Sequence, residues 1–255
     1  MHNESKRGPA IMSEAERLVR ERFPGGAELE DALRRLAEGE PAQYITGIAY
    51  FYSEVYNVSP DCFIPRPDTE RLVDRAVKFA ADRALRMLDL CTGSGCIAIS
   101  TAAHCPNITV TAVELSAGAL ALAEKNAVQN GVADRVTFVH ADMRDPEFIA
   151  SLPDRGYDII ASNPPYIATD VIPTLDVSVR REPTIALDGG ANGLDFYHVI
   201  MRSYSPKLAK DGIMLLEIGY DQADALRELA EKHGYGCDIF RDYGGNDRVA
   251  ELRKL

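Results

Sequence analysis

The segment LDLCTGSGCIA, residues 88–98, decides the fold of this chain. Its apolar first residues predict a strand, Gly93-Ser94-Gly95 predicts a tight loop, and Ile97 and Ala98 begin a helix directly after the loop. Glycines allow the loop backbone to approach a ligand closely, and the free N–H groups at the start of the helix can bind it. The order of strand, glycine loop and helix therefore predicts a nucleoside- or phosphate-binding unit of an α/β protein.

The alternation of strands and helices continues on both sides of this segment. Helical stretches such as 116–130 separate the apolar runs, which predicts βαβ units and a mostly parallel sheet. Near the end of the chain, 237–240 and 248–252 flank a short loop and predict an antiparallel hairpin at the sheet edge. The predicted fold class is α/β and Rossmann-like. Its central strands are expected at 87–90, 110–114, 136–140, 157–162 and 213–218.

The chain divides into three predicted parts. Residues 1–42 form a short helical cap, with Ser13 and Glu16 at capping-box spacing and an apolar stripe over 29–37. Residues 43–66 form a linker, in which the aromatic and β-branched segment 44–58 predicts a β-hairpin. Residues 67–255 form the ligand-binding domain. Its first helix places on one side the apolar residues Leu72, Val73, Ala76, Val77 and Ala80.

Composition limits the class of partner. The chain has 255 residues, of which 46% are hydrophobic and 26% charged, as in ordinary globular proteins. Its 28 Lys and Arg against 39 Asp and Glu give a net charge of −11. Because affinity for nucleic acid comes largely from basic side chains that displace counterions, no stable nucleic-acid partner is expected. No apolar run approaches the roughly 20 residues of a membrane span, so no membrane partner is expected either.

Cysteine and histidine usage gives no sign of a metal site. The five cysteines are odd in number and lack Cys-x-x-Cys spacing, and the five histidines are scattered. Free thiols in a reducing cytoplasm are expected. The first ten residues, MHNESKRGPA, lack the apolar core of a signal peptide and are predicted to be a frayed tail.

Acidic residues after the strands indicate the kind of ligand. Glu114 ends the strand after the loop, where a carboxylate binds ribose hydroxyls in this architecture. Ala98 replaces the third glycine of a dinucleotide fingerprint and Asp89 would repel a pyrophosphate, so the cationic S-adenosylmethionine suits the loop better. Asp142 and Met143 are expected at the adenine. The alternatives are a plain tight turn at the glycines and ordinary core packing of Met143.

The turn Asn163-Pro164-Pro165-Tyr166 follows the fourth predicted central strand. Two prolines fix the backbone, so the turn is expected to be a rigid corner at the carboxyl end of the sheet, where open α/β sheets bind ligands. The Asn163 side-chain oxygen and the Pro164 carbonyl can accept both protons of an amide NH₂, and Tyr166 can pack on its plane. Rate would then come from orientation of the nitrogen lone pair. The alternative is a purely structural diproline loop.

At this point the sequence resembles a known family, the peptide chain release factor glutamine N(5)-methyltransferases among the class I S-adenosylmethionine-dependent methyltransferases. The matching text covers nearly all of the chain from Gln43 onward, and IPRPDTE with EPTIALDGG is more specific than Asn-Pro-Pro-Tyr alone. The motifs are QYITG (43–47), IPRPDTE (64–70), LDLCTGSGCIAI (88–99), SNPPYI (162–167), EPTIALDGG (182–190), GLDFY (193–197) and LEIG (216–219).

The resemblance implies methyl transfer from S-adenosylmethionine to the glutamine of the Gly-Gly-Gln motif in bacterial release factors, which would be its protein partners, with 67–255 as the methyltransferase domain. It implies cofactor contacts at Cys91, Thr92, Gly93, Ser94, Gly95, Glu114, Met143 and Asn163, and the acidic residues Asp89 and Asp142 are predicted to be further cofactor contacts. It implies a catalytic Asn163, Pro164 and Tyr166, with the glutamine held by Asn163, Pro164, Pro165 and Tyr166. Arg66 is a further candidate contact, or else a surface arginine of the linker.

Two departures from the family and several alternatives accompany this interpretation. Only about 40 residues precede QYITG, so recognition of the release factor body is expected to be reduced or differently built, and Asp68 stands where Glu is usual. A ribosomal-protein glutamine methyltransferase, a nucleic-acid adenine methyltransferase and an inactive binding module are the alternative functions. The aperiodic segment 169–188 is predicted to be a lid over the substrate.

Overall fold

The computed structural model describes residues 12–255. Its strands form a two-stranded hairpin and one seven-stranded sheet in the order β5-β4-β3-β6-β7-β9-β8. The strands are β1 (Ile48–Phe51), β2 (Glu54–Asn57), β3 (Leu85–Leu90), β4 (Ile108–Glu114), β5 (Val136–His140), β6 (Tyr157–Ser162), β7 (Leu208–Glu217), β8 (Tyr235–Arg241) and β9 (Asp247–Lys254).

Helices pack on both faces of the large sheet, and the first helices of the chain come before its first strand. The α-helices are α1 (Glu14–Arg22), α2 (Gly26–Ala37), α3 (Ala42–Thr46), α4 (Glu70–Ala80), α5 (Cys96–His104), α6 (Ala117–Gln129), α7 (Pro146–Ser151), α8 (Asp195–Val199) and α9 (Ala223–Lys232). A π-helical turn, Ile200–Tyr204, continues α8.

The sheet confirms the predicted fold class. Strands β5, β4, β3, β6 and β7 are parallel, and β9 pairs antiparallel with both β7 and β8. All five predicted central strands and the terminal hairpin are present within the described residues. Strands β4 and β5 lie on one side of β3, and the next strands in the chain, β6 and β7, lie on its other side. The direction in which successive strands are added therefore reverses beside β3. Open α/β sheets bind ligands at the carboxyl ends of the strands at such a reversal.

Burial on both faces explains why the central strands are continuous apolar runs. In β3, Met87, Leu88 and Leu90 are fully buried, although adjacent strand residues point to opposite faces. One apolar cluster packs under α4 and α5, and another packs under α9 and the π-helical turn. The predicted stripe of α4 is buried at Leu72, Val73, Ala76 and Ala80. The rigid two-layer core therefore fixes where each strand ends, which is where the predicted site residues lie.

The hairpin is shorter than predicted, because the interpretation of residues 44–46 as strand is wrong. These residues belong to α3, which starts after Pro41 and ends at Gly47, whose left-handed φ of 76° closes the helix. The Tyr44 hydroxyl donates a 2.7 Å hydrogen bond to the Cys62 carbonyl. Burial of this short helix against its neighbours outweighs the β propensity of its tyrosine, isoleucine and threonine.

Other elements were not anticipated or lie outside the described residues. Helices α7, α8 and α9 have no counterpart among the predicted elements, although α9 carries an amphipathic pattern with Leu226 and Leu229 buried. Helix α2 starts at Gly26, three positions before the predicted stripe. The predicted frayed tail, residues 1–10, falls outside the residues that the structure describes.

Within residues 12–255, no helix is long and apolar enough to cross a bilayer. The same residues contain no cluster of three or more His, Cys, Asp or Glu side chains suited to a metal ion. All five cysteines are free thiols.

Candidate active site

A cavity of about 290 Å³ opens at the carboxyl ends of β3, β4 and β6. One wall is the loop after β3, a second is the Asn-Pro-Pro-Tyr turn after β6, and a third is the segment 183–188. Phe63 and Pro65, from the linker before α4, also line it. The cavity has the size of a small-molecule site and brings together loops that are distant in sequence.

The glycine loop is held in a compact shape by its own backbone and by a buried acid. Gly95 has a φ of +84°, in the left-handed region that side chains rarely adopt, and a Cβ there would also lie 3.2 Å from Cβ of Ala123, so the loop favours glycine at this position. The Thr92 hydroxyl donates to Oδ2 of Asp89 at 2.5 Å. The Thr92 N–H donates to the carbonyl of Val113 on β4. The loop is thereby fixed to two strands, with its open side toward the cavity.

Asp89 lies behind this loop and does not line the cavity. Its side chain is fully buried, and burial raises its pKa to about 7 against the hydrogen bond from Thr92, which favours the charged form. Its Oδ1 and the hydroxyl of buried Ser94 have no hydrogen-bond partner within the described residues. Ser94 does line the cavity. These two buried polar groups at the loop therefore have hydrogen-bonding positions that no protein group fills within the described residues.

Glu114 joins the end of β4 to the glycine loop. Its Oε2 accepts from the Gly93 N–H at 2.8 Å, and its Oε1 accepts from the N–H groups of Leu115 and Ser116 at 2.9 and 2.8 Å. The carboxylate lines the cavity, and its Oε2 can accept one further hydrogen bond, whereas Oε1 already accepts two. Its position is therefore fixed before any ligand binds.

Asp142 and Met143 line the cavity after β5, but the acid is already paired. Arg144 donates to both carboxylate oxygens of Asp142, at 3.0 and 2.9 Å, and this pairing lowers the pKa of Asp142. Buried Met143 places its sulfur 3.4 Å from the Cys91 sulfur, and its carbonyl accepts from the Tyr204 hydroxyl at 2.7 Å. The π-helical turn thus supports this part of the wall through Tyr204.

The Asn-Pro-Pro-Tyr turn forms the wall opposite the glycine loop. Asn163, Pro165 and Tyr166 line the cavity, and Asn163 directs its Nδ2 to the Thr69 hydroxyl at 3.4 Å. The Tyr166 hydroxyl donates to Oε1 of Glu217 at 3.2 Å, and the Tyr166 carbonyl accepts from the side chain of Gln222 at 3.0 Å. Burial raises the pKa of Tyr166 above its ordinary range, so the phenol is neutral. The turn is held from behind, with its face toward the cavity.

An ion pair joins the linker to the segment that closes the third wall. Arg66 donates to Oε1 of Glu182, while Oε2 accepts from the Ile64 N–H at 2.9 Å. Burial raises the pKa of Glu182, although Arg66 opposes this. Arg66 itself does not line the cavity, and its guanidinium lies over the ring of Phe63, which does. The contribution of Arg66 to the site is therefore indirect.

Segment 169–188, predicted to be a lid, contains three short 3₁₀ turns. Its end is tied back by a bridge between Ile167 and Asp188. That it moves over a substrate stays a prediction.

The structure brings most of the predicted site residues to one cavity. Those that line it are Cys91, Thr92, Gly93, Ser94, Glu114, Asp142, Met143, Asn163, Pro165 and Tyr166, whereas Asp89, Gly95 and Pro164 do not line it. Sequence reasoning missed the roles of three residues that contact the turn. These are Thr69, which also lines the cavity, Glu217, and Arg248, whose Nη1 donates to the Tyr166 hydroxyl at 3.4 Å. The available signal was Glu217, a charged residue that ends the otherwise apolar run IMLLE.

Comparison with known proteins gives consistent results. A family model described as "Methyltransferase small domain" matches residues 70–177. A release factor glutamine methyltransferase from Moorella thermoacetica is 39% identical over 236 residues, covering 91% of this chain and 82% of that protein. One from Geobacter sulfurreducens is 41% identical over 218 residues, covering 84% of this chain and 74% of that protein.

Among solved structures, a ribosomal protein L11 methylase from Lactobacillus delbrueckii subsp. bulgaricus superposes with a TM-score of 0.55 at 18% identity. The match covers 78% of this chain and 84% of that chain. At this identity it shows a shared fold only.

Proposed function

Because the chain belongs to the release factor glutamine methyltransferase family, we propose that it methylates release factors. The methyl group would pass from S-adenosylmethionine to the side-chain amide nitrogen of the glutamine in the Gly-Gly-Gln motif. The observation that carries the proposal is the placement of Asn163 and Tyr166 across one cavity from the glycine loop. A methyl donor on the loop and an amide on the turn would share this space.

The residues around the loop fit a cationic nucleoside ligand. The unpartnered Ser94 hydroxyl lines the cavity and is available to a bound molecule, whereas Asp89, buried behind the loop, can stabilise a bound cation through its charge. Glu114 presents a fixed carboxylate suited to ribose hydroxyls. Met143 provides an apolar surface for the adenine ring. When bound, S-adenosylmethionine supplies an electrophilic methyl group on a positively charged sulfur.

The turn supplies the means to orient a carboxamide. With Nδ2 of Asn163 directed to Thr69, its Oδ1 can accept one N–H of the substrate amide. That the Pro164 carbonyl accepts the other stays a prediction, because Pro164 does not line the cavity. The neutral ring of Tyr166 can pack on the amide plane. An amide nitrogen is a weak nucleophile, so fixed orientation of its lone pair supplies much of the rate. No base has to remove a proton beforehand, because the nitrogen becomes acidic only as the new N–C bond forms. The electron pair of the broken S–C bond would stay on the sulfur, and the nitrogen would release one proton to water.

The proposal predicts that the purified protein adds one methyl group to a release factor. Mass spectrometry of the peptide that holds the Gly-Gly-Gln glutamine should show the added methyl after incubation with S-adenosylmethionine. Asn163→Ala should lower kcat by about 100-fold, because the amide loses an orienting acceptor. Asn107→Ala removes an exposed amide that bonds only the Asp82 carbonyl, and should keep full activity.

An unmodified release factor after complete incubation would contradict the proposal. Labelled methyl groups in DNA or RNA, and none in protein, would favour the adenine methyltransferase alternative instead.

A further inference from the structure

A buried polar chain lies directly behind the Asn-Pro-Pro-Tyr turn. Glu217, the last residue of β7, is 2% exposed, and Thr69, just before α4, is 1% exposed. The Tyr166 hydroxyl donates to Oε1 of Glu217 at 3.2 Å. Oε2 has no hydrogen-bond partner within residues 12–255, and the Thr69 hydroxyl lies near enough to Glu217 to lower the pKa of that acid. Glu217 therefore contacts the Tyr166 end of the turn directly, and Thr69, which meets the Asn163 end, lies beside it.

The direction of these hydrogen bonds follows from the chemistry of each group. An ionised carboxylate only accepts, and Oε2 of Glu217 has no other donor within residues 12–255, so the single hydroxyl proton of Thr69 is the one that can be donated to it. The Thr69 oxygen is then left as an acceptor, and Nδ2 of Asn163, 3.4 Å away, is the donor that meets it. Because one end of the Asn163 amide is held in this way, its Oδ1 is the atom left to face the cavity.

We propose that Glu217 is a positioning residue that sets the orientation of the Asn163 amide through Thr69. This inference rests on the proposed function. In the ionised state of Glu217, Asn163 presents an oxygen to the glutamine NH₂, which is the acceptor that methyl transfer needs. The residue acts through Thr69 and does not line the cavity.

Protonation of Glu217 would reverse the direction of the hydrogen bonds that run from Glu217 through Thr69 to Asn163. A neutral carboxyl group can donate its proton to the Thr69 oxygen, and the Thr69 hydroxyl proton can then be donated to Oδ1 of Asn163. The Asn163 amide would turn over and present its NH₂ to the substrate NH₂. Two donors would then face each other, and the substrate amide would lose its orientation.

The surroundings of Glu217 bring its protonation into the neutral pH range. Burial is the main cause that raises the pKa of Glu217 to about 7, and Arg248 opposes it. Arg248 is itself paired with Asp242, its Nη2 lying 3.2 Å from Oδ2. The titratable and charged groups that face Glu217 are Asp68, Tyr166 and Arg248, with Tyr197 and Cys96 near enough to interact electrostatically.

The test is the pH dependence of kcat with saturating substrates. The wild-type kcat should fall below about pH 7 and level off about tenfold lower, at the rate of the form in which Glu217 is protonated. Glu217→Gln imitates the protonated acid, so its kcat should be about tenfold lower at pH 8 and nearly constant from pH 6 to 8. Its KM for S-adenosylmethionine should stay unchanged, because the substitution misorients the acceptor and leaves the glycine loop intact.

Variants of Thr69 test the chain without touching the acid. Thr69→Val keeps the side-chain shape and removes the hydroxyl, so kcat should fall and its pH dependence should weaken. Thr69→Ser restores the hydroxyl and should restore both. Glu251→Gln is the matched control, because Glu251 is a buried glutamate on the adjacent strand that pairs with Arg75 and lies away from the cavity. Its pH profile should match that of the wild type.

A measurement on the free protein separates this inference from the proposed function. The NMR signal of the Asn163 side-chain NH₂, identified by its loss in Asn163→Ala, should shift with a midpoint near pH 7. That shift should be absent from Glu217→Gln. If the signal does not titrate, or if Glu217→Gln keeps the wild-type kcat profile, the inference is overturned while release factor methylation stands. A wild-type protein that methylates no release factor would refute the function, and the NMR titration would still decide the inference.

Discussion

Asp89 shows how a single buried residue can connect the fold to ligand binding. It lies at the root of the glycine loop, holds the Thr92 hydroxyl and is fully buried. Because its pKa is about 7, Asp89 is only partly ionised near neutral pH in the free protein. A cation bound on the loop stabilises the ionised form and therefore lowers this pKa.

We therefore predict that affinity for S-adenosylmethionine rises with pH between about 5.5 and 7. The ligand binds the ionised form better, so binding releases a proton, and the rise is limited to about tenfold per pH unit for one group. Calorimetry in buffers of different ionisation enthalpy measures both the affinity and the proton. Asp89→Asn should abolish the proton release, and an equal release from this variant would show that another group is responsible.

Close approach of backbone segments makes the Asn-Pro-Pro-Tyr turn a rigid element. The segment that follows the third wall of the cavity passes under Tyr166, and a Cβ on Gly193 would lie 2.2 Å from the Tyr166 carbonyl oxygen. Gly193 also has a φ of +72°, in the left-handed region. The glycine therefore allows the two segments to touch, and the carbonyl it approaches is the one that accepts from Gln222.

Substitution of Gly193 should lower activity by more than the strain of a left-handed backbone alone would cause. Gly193→Ala should destabilise the protein and lower kcat by at least about tenfold, because the methyl group displaces Tyr166. Gly131→Ala is the matched control: its φ is +70°, but a Cβ there meets nothing within 4 Å. It should lose only about 1–2 kcal/mol of stability, measured by urea unfolding, and keep its activity. Equal kcat values for the two variants would contradict the prediction.

At the scale of the whole molecule, two buried acids near the carboxyl ends of β3 and β7 hold protons that the unfolded chain would release. Asp89 and Glu217 both have a pKa of about 7 in the folded protein, against ordinary values of 3.8 and 4.5. Between those values the folded state binds more protons than the unfolded state. The free energy of unfolding contributed by these groups is therefore highest below about pH 4 and falls as pH rises to about 7.

We predict that the free energy of unfolding decreases between pH 5 and 7, by a few kcal/mol at most for the two acids together. Asp142 and Asp242 have a lowered pKa in the folded protein, so their contribution to the free energy of unfolding changes only at lower pH. These acids therefore do not mask the decrease between pH 5 and 7. Urea unfolding at several pH values measures it. The double variant Asp89→Asn with Glu217→Gln should flatten the curve over this range, and an unchanged slope would contradict the assignment.

The N-terminal helices also contact the segment beside the cavity. The Arg181 side chain donates to the Glu38 carbonyl at 2.7 Å, and a Cβ on Gly39 would lie 2.9 Å from the Val177 side chain. The region after α2 therefore supports part of the segment predicted to be a lid. This contact joins parts of the chain more than 100 residues apart, and nothing in either local sequence indicates it.

The sequence by itself determined the parallel sheet and the two walls of the cavity. Apolar strands that alternate with helices leave few arrangements, and the carboxyl ends of parallel strands meet at one edge, so the loop after Leu90 and the turn after Ser162 had to be neighbours. Local pattern failed at Tyr44–Thr46, where tertiary burial outweighed β propensity.

Only the tertiary structure decided which polar groups support the turn and the walls. Thr69 meets Asn163, Tyr166 meets Glu217 and Arg66 meets Glu182, across separations of 51 or more residues. The physical reason is that the pKa and hydrogen-bond direction of a polar group depend on its burial and its partners. Both are properties of the packed chain and leave no periodic signal in the sequence.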